Sequence, residues 1–234
     1  MKKLLLFIMF LSVLTLSGCK TLKLERALGA LEKENYTVDM DMNVVVTIYG
    51  GGVPAQTQKA SSTSKMEADQ TKSYTVSTSE GKTSYSYVEI EGEQVKVYTS
   101  TGSKWKLEDV VDVDDYSNQM LDMIDVDYAT DECFSRKGDV WVGDVEKLTE
   151  ILEEAMTKLM KDSYGSGVTI KNAKVLKYDI TLDGNKVSLI DIKMTIEMSI
   201  SGINVIVTMS MPMNFSLIGE TEVTVPDGLP ELIE

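Results

Sequence analysis

The sequence predicts an α+β fold: a curved antiparallel β-sheet, a half-barrel, with helices packed on its concave apolar face. Three observations predict it. The segment from Tyr36 to Tyr49 places Val38, Met40, Met42, Val44, Val46 and Ile48 at every second position, which is the period of a strand with one apolar face. Long segments near the end of the chain repeat that alternation, above all Ile203, Val205, Val207, Met209, Met211, Met213, Phe215 and Leu217. Two other stretches carry apolar residues at helical spacing. An antiparallel sheet that wets one face must bury the other, and amphipathic helices are what it can bury it against.

The elements follow in order. Residues 20–33 read as a helix, with Leu24, Ala27, Leu28 and Leu31 on one stripe; Lys20, Lys23, Arg26 and Lys33 make it the one locally basic stretch. The strand 36–49 ends in Gly50-Gly51-Gly52 and Pro54, a turn signal. From Gln56 to Leu107 the chain is rich in Ser, Thr and Tyr. Turns at Glu80-Gly81-Lys82, Glu91-Gly92-Glu93 and Thr101-Gly102-Ser103 predict a meander of short hairpins ending near Trp105. A short acidic helix is expected over 114–124, with Met120, Leu121 and Ile124 inward. A second starts at Asp144 as N-cap and carries Leu148, Ile151, Leu152, Ala155, Met156, Leu159 and Met160.

Three long strands finish the chain. In the first, Leu176, Tyr178, Ile180 and Leu182 share a face, and Asp183-Gly184 turns it back. In the second, Ile190, Ile192, Met194, Ile196, Met198 and Ile200 share a face, whereas Val187 and Leu189 have the other parity, so a bulge is expected near Leu189. Ser201-Gly202 turns into the third; a short segment, Val223 to Leu229, follows and ends at prolines.

Composition bounds the function. The chain has 234 residues and a net charge of −14. A surface this acidic repels nucleic acid and anionic headgroups, and no basic patch with interleaved aromatics appears, so nucleic acid is excluded as a partner. There is no histidine. Ser-His-Asp and Cys-His catalysis and histidine-based metal sites are therefore impossible. No phosphate loop or nucleophile elbow is present. The acidic stretch Asp109 to Glu132 fits no EF-hand spacing and reads as a solvated face. The expectation is a protein that is not an enzyme, with no catalytic residue, no metal and no cofactor. Cys133 reads as a small buried apolar residue.

The N-terminus orders a basic pair, Lys2 and Lys3, an apolar run from Leu4 to Leu16, small residues Ser17 and Gly18, and then Cys19. That order is a secretory signal, and a run of about 13 apolar residues falls short of the roughly 20 a membrane span needs. Leu16-Ser17-Gly18-Cys19 resembles a lipobox, the cleavage motif of bacterial lipoproteins. The resemblance implies acylation of the Cys19 thiol and cleavage just before it, hence an extracytoplasmic protein anchored by lipid to a bacterial plasma or outer membrane. Cutting there leaves 216 of the 234 residues. Loss of Lys2 and Lys3 makes the net charge −16, two units beyond the −14 of the full chain. The expected organisation is a signal peptide over 1–18, a lipidated cysteine and membrane-proximal helix over 19–34, and a single α+β domain over 35–234.

The order of lipobox, N-terminal helix, curved sheet and filling helices is similar to that of the LolA-like and LppX/LprG-like lipoproteins. That resemblance implies a cavity between sheet and helices that holds lipid or acyl chains, and it transfers no binding residue by motif. On the residues themselves, the methionines are the candidates. Met40, Met42, Met194, Met198, Met209, Met211, Met213 and Phe215 lie on inward strand faces, and Met156 and Met160 on the helix that packs there. Methionine is flexible and polarizable, so such a face suits either a pliable ligand cavity or an ordinary core. The alternative function is an envelope interaction lipoprotein without a small ligand, with the polar hairpins from Gln56 to Trp105 as its contact surface. The oligomeric state is left open.

Overall fold

The computed structural model describes residues 22–102, 104–113, 133–153, 168–200 and 202–230. One helix, α1 (Leu22–Lys33), precedes six strands: β1 (Tyr36–Gly50), β2 (Val53–Ala68), β3 (Lys72–Ser79), β4 (Lys82–Glu91), β5 (Gln94–Ser100) and β6 (Lys106–Asp112). A short hairpin, β7 (Phe134–Lys137) and β8 (Val140–Gly143), leads into helix α2, described over residues 145–153. Then come β9 (Val168–Asp183), β10 (Lys186–Ile200) and β11 (Ile203–Ser216).

All eleven strands form one antiparallel sheet in the order β6-β5-β4-β3-β2-β1-β11-β10-β9-β8-β7. Among the described residues the sheet is open, with β6 and β7 as its edges. Each half is a meander of neighbours, and the pairing of β1 with β11 joins them. Chain-distant Met40 and Met213 thereby become direct partners, and Ile190 continues their row on β10. Val44, Met209 and Met194 form a parallel row. The β1–β11 ladder skips the level of Pro212, which has no N–H to give; on its other side Pro212 stays in register with Asp191 of β10.

The apolar face predicted for β1, β10 and β11 is the core. Val38, Ile190, Met211 and Met213 are fully buried, and Leu24, Ala27, Leu28 and Leu31 of α1 join the same cluster as α1 packs on β10. Each such residue withdrawn from water is worth about 1.5–3 kcal/mol. The stripe of α1 is thus spent on the domain. Asp144 caps α2 as expected: its Oδ1 accepts from the N–H groups of Glu146 at 3.1 Å and Lys147 at 3.3 Å. Leu148 and Leu152 enter the core cluster. Gly143, where β8 meets β9, has no room for a side chain: a Cβ there would lie 2.6 Å from both Leu148 Cδ1 and the Tyr178 carbonyl. Among the described residues no helix is long and apolar enough to cross a membrane.

Several expectations need correction. The segment after Gly52 is not a set of short hairpins: β2 runs 16 residues, held by β1 along its length, while β3 pairs only with Ser62–Ala68. Its polar sequence hid it, because its first half, from Pro54 to Ser61, is exposed on both faces. The β2–β3 turn is set by Asp69, whose Oδ1 accepts from the Thr71 and Lys72 N–H groups. The meander continues past Trp105 through β6. The hairpin β7–β8 lies between the two expected helices, where no element was expected. The bulge near Leu189 is present, between Val187 and Leu189. A further irregularity between Lys193 and Met194, opposite Lys177 and Val175, leaves Leu176 out of its expected row; it is exposed, and Val175 and Ala173 are buried instead. Ile200, Ile203 and Leu217, at the ends of the long alternation, are exposed, and the segment after β11 has no strand. The acidic helix expected over 114–124, the end of the second helix and the N-terminal signal lie outside the described residues.

Candidate functional site

Register brings most of the predicted candidates together. Met40, Met194, Met209, Met211 and Met213 lie on three adjacent strands, β1, β11 and β10, on one face, and all are at most 6% exposed. Met42, Met198 and Phe215 border this block and are half-buried. Phe215 stacks in a tilted contact on Tyr36, with ring centroids 5.7 Å apart. Met156, Met160 and Cys19 lie outside the described residues. Cys133 is buried in the same core, next to Phe134 on β7.

The pairing adds residues that a search for methionine passes over. Val46 and Val207 are direct partners, Ile170 pairs with Met198, and all are half-buried. They extend the apolar face beyond the buried methionine block, toward the β1–β2 and β10–β11 turns. Their alternation was visible in the sequence; their incomplete burial, which depends on what packs over them, was not.

The opposite face differs between the two halves of the sheet. In β9–β10 it is charged: Lys177 bridges Asp191 at 2.5 Å and Asp179 at 3.6 Å. The hydrogen bond that Lys177 donates to Asp191, with the charges of both carboxylates, raises the lysine's affinity for its proton against the effect of burial. In β2–β5 it is aromatic. Glu67, Tyr74, Tyr87 and Tyr98 stand in one cross-strand row, and Tyr87 is fully buried with its ring 6.0 Å from Tyr98. Burial, and then its bond to Glu89, raises the Tyr87 phenol well above its ordinary range, so it is a neutral donor at any working pH. Trp105 packs beside the row, 6.4 Å from both Tyr74 and Tyr85.

An open groove of about 680 Å³ lies at the end of the sheet where α1 finishes, lined by Lys33, Glu34, Asn35, Asp69, Gln70, Thr71, Lys186, Ile218, Gly219 and Glu220. None of the candidate methionines lines it. Several of its polar groups serve one another. Gln70 Nε2 donates to the Lys33 carbonyl at 2.6 Å, Lys186 Nζ to the Ile218 carbonyl at 2.5 Å, and the Gly219 N–H to the Asn35 carbonyl at 2.7 Å. Thr37 and Thr221 share a buried hydroxyl bond of 2.9 Å beside it. These bonds tie the α1–β1 turn to the β2–β3 turn, the β9–β10 turn and the segment after β11, which is the behaviour of a structural clasp. Among the described residues no group of three or more acidic or cysteine side chains is placed to hold a metal ion. Buried Trp141 on β8 has an indole N–H without a partner among the described residues.

No family model matches the sequence, and no curated protein matches it. Among solved structures the chain is similar to the ywiB protein of Bacillus subtilis, at 12% identity over 77% of this chain and 93% of that one, with a TM-score of 0.23. It is similar to Ail, the attachment invasion locus protein of Yersinia pestis, at 5% identity over 79% and 99%, with a TM-score of 0.24. A LolA superfamily protein from Nitrosomonas europaea is a weak structural neighbour, at 10% identity over 87% and 93%, with a TM-score of 0.19. At such scores none of these likenesses carries an argument about fold or function.

Proposed function

We propose that the chain is a membrane-anchored extracytoplasmic lipoprotein that binds a lipid or other apolar ligand between its sheet and its helices. The observation that carries the reading is the half-buried apolar rim of Met42, Val46, Met198, Val207 and Ile170, continuous with the buried methionine block. Flexible methionines beside an incompletely covered apolar surface let a chain-like ligand enter without opening the whole core. Curvature of the sheet toward α1 and α2 would make that rim the mouth of a cavity. The signal and Cys19 supply export and attachment for a domain whose acidic charge would not bring it to a membrane.

Two measurements test this reading separately. A chain beginning at Lys20 should take up a fluorescent fatty acid, and Met42→Trp with Met198→Trp should weaken uptake about tenfold, a loss of roughly 1.4 kcal/mol. A dry core that takes up nothing and releases no ligand on organic extraction overturns ligand carriage. Lipidation is read from the mass of the N-terminal peptide of the exported protein; an unmodified Cys19 overturns the anchor. The second reading, an envelope interaction lipoprotein without a small ligand, is favoured by one observation: Met211 and Met213 are at most 1% exposed, as in a solid core.

A further inference from the structure

The end of the sheet opposite the groove is built from two hairpin tips. Gly50 pairs with Ile203, and Ile203 pairs with Ile200, so the β1–β2 and β10–β11 turns lie side by side. Charged residues make up 26% of the chain, yet none occurs from Met42 to Gln58 or from Met198 to Gly219. Ile200 and Ile203 are each 40% exposed and are direct cross-strand partners, so they form one apolar patch rather than two scattered residues. Among the described residues, two charges near the tip are bonded within it: Lys171 Nζ reaches Asn204 Oδ1 at 2.5 Å, and Glu197 accepts from the Tyr49 hydroxyl at 2.5 Å. Gly50, Gly51 and Gly52 all have positive φ, which lets the turn stay tight without side chains.

We propose that this double tip inserts into the surface of a lipid bilayer. Hairpin tips meet the requirement that backbone groups entering an apolar phase be paired, because β1, β10 and β11 are hydrogen-bonded to one another up to their ends. A tyrosine and a lysine just behind an apolar tip are the side chains that suit a headgroup layer, each with an apolar stem and a polar end. A protein partner for so acidic a molecule would be expected to meet it with charge, and this surface offers almost none. The 21 residues preceding α1 include the apolar run Leu4 to Leu16, which brings the chain to a bilayer on export. The groove residues Lys33 and Lys186 place the end of α1 at the far end of the sheet, so α1 leaves the tip uncovered. Tip insertion goes beyond ligand carriage and does not need lipid on Cys19.

The test uses a chain beginning at Lys20, which retains every described element, and phosphatidylcholine vesicles. A polarity-sensitive fluorophore on Ile203→Cys should shift to the blue on vesicle addition, and the same probe on Lys186→Cys, at the far end, should not. Ile200→Asn with Ile203→Asn should lower vesicle partitioning by about tenfold per isoleucine. Because both side chains are partly exposed at a turn, the double variant should keep the wild-type circular dichroism. Equal shifts from both probes, no shift from either, or unchanged partitioning of the double variant would overturn the proposal. So would a lipid-independent dimer that forms through the tip and is lost in the same variant.

Discussion

On β9, β10, β11 and β1 the inner face carries Ile180, Ile190, Met213 and Met40; on the next three strands, β2, β3 and β4, the same row carries Ser64, Ser77 and Ser84. One row reads Ile190, Met213, Met40, Ser64, Ser77, Ser84, apolar at one end and hydroxylated at the other. The second region buries side chains on both faces: Tyr87 and Tyr98 on the outer one, with Trp105 against Tyr74 and Tyr85, and Val88 and Val95 on the inner one. A single sheet therefore holds two separate groups of buried side chains, a one-faced one beside α1 and a two-faced one on β4 and β5. Helix α1 explains the first, since its leucines give the inner face something to pack on. In the second, the aromatic rings cover one another.

The largest expected effect tests that division within one row. Met213→Ala should cost about 3 kcal/mol, the transfer and cavity terms of a fully buried methionine. Ser77→Ala should cost no more than about 1 kcal/mol, the worth of its 2.8 Å hydroxyl bond to Ser64. Urea midpoints measured on both variants check the contrast. Similar losses would mean that the two halves share one core after all.

The same contrast explains how much could be read in the sequence. The Met and Ile strands announced themselves, because burial against a helix demands strict alternation, and 36–49 and 203–216 alternate over their whole length. The bulge near Leu189 was legible for the same reason: a parity error in an alternating strand needs an extra residue. In β2 no face is buried over Pro54–Ser61, so nothing forces a pattern and only its partner β1 reveals it. The β7–β8 strands are four residues each, too short for a period. At the candidate site the methionines were legible as an inward face. Which of them are sealed and which form a rim was not, since alternation marks a face and not what packs over it.

The two long edges next to these regions sharpen the comparison at a smaller scale. Beyond its pairing with β3, β2 leaves the edge of residues 54–61 to solvent. Beyond its pairing with β8, β9 is covered by α2: the Val175 N–H donates to Thr149 Oγ1 at 3.0 Å and the Ala173 N–H to Glu153 Oε1 at 3.3 Å. Residues i and i+4 of a helix rise about 6 Å, close to the roughly 6.8 Å between alternate strand residues, so the two side chains match the two donors. Thr149→Val should leave a buried donor unmet and cost about 1–2 kcal/mol. Amide exchange should quicken at Val175 and Ala173 and stay as fast as before at Thr57 and Lys59. Unchanged protection at Val175 would show that α2 does not guard this edge.

The smallest effect concerns the aromatic region and its dependence on pH. Glu67 Oε2 accepts from the N–H of Thr224 at 3.0 Å and from its hydroxyl at 2.7 Å, holding the segment after β11 across β2 beside the tyrosine row. Burial alone would raise this carboxyl, but the two Thr224 bonds and the Lys65 ammonium at 3.7 Å outweigh it, and it sits below its ordinary 4.5. A group lowered on folding contributes its stability above the unfolded value and loses it as pH falls through the folded one. The clasp should therefore be intact at neutral pH, weaken as pH drops below about 4.5, and be gone once the carboxyl is protonated. Glu67→Gln should remove that pH-dependent part at a cost of up to about 1 kcal/mol at neutral pH. Limited proteolysis near Val225, which is exposed, would read the release: faster cleavage in the variant at pH 7, and a smaller rise on acidification than in the parent chain. Equal acid responses would assign the holding of this segment to the bonds of Asn35 and Thr37 to Thr221, which carry no titrating group.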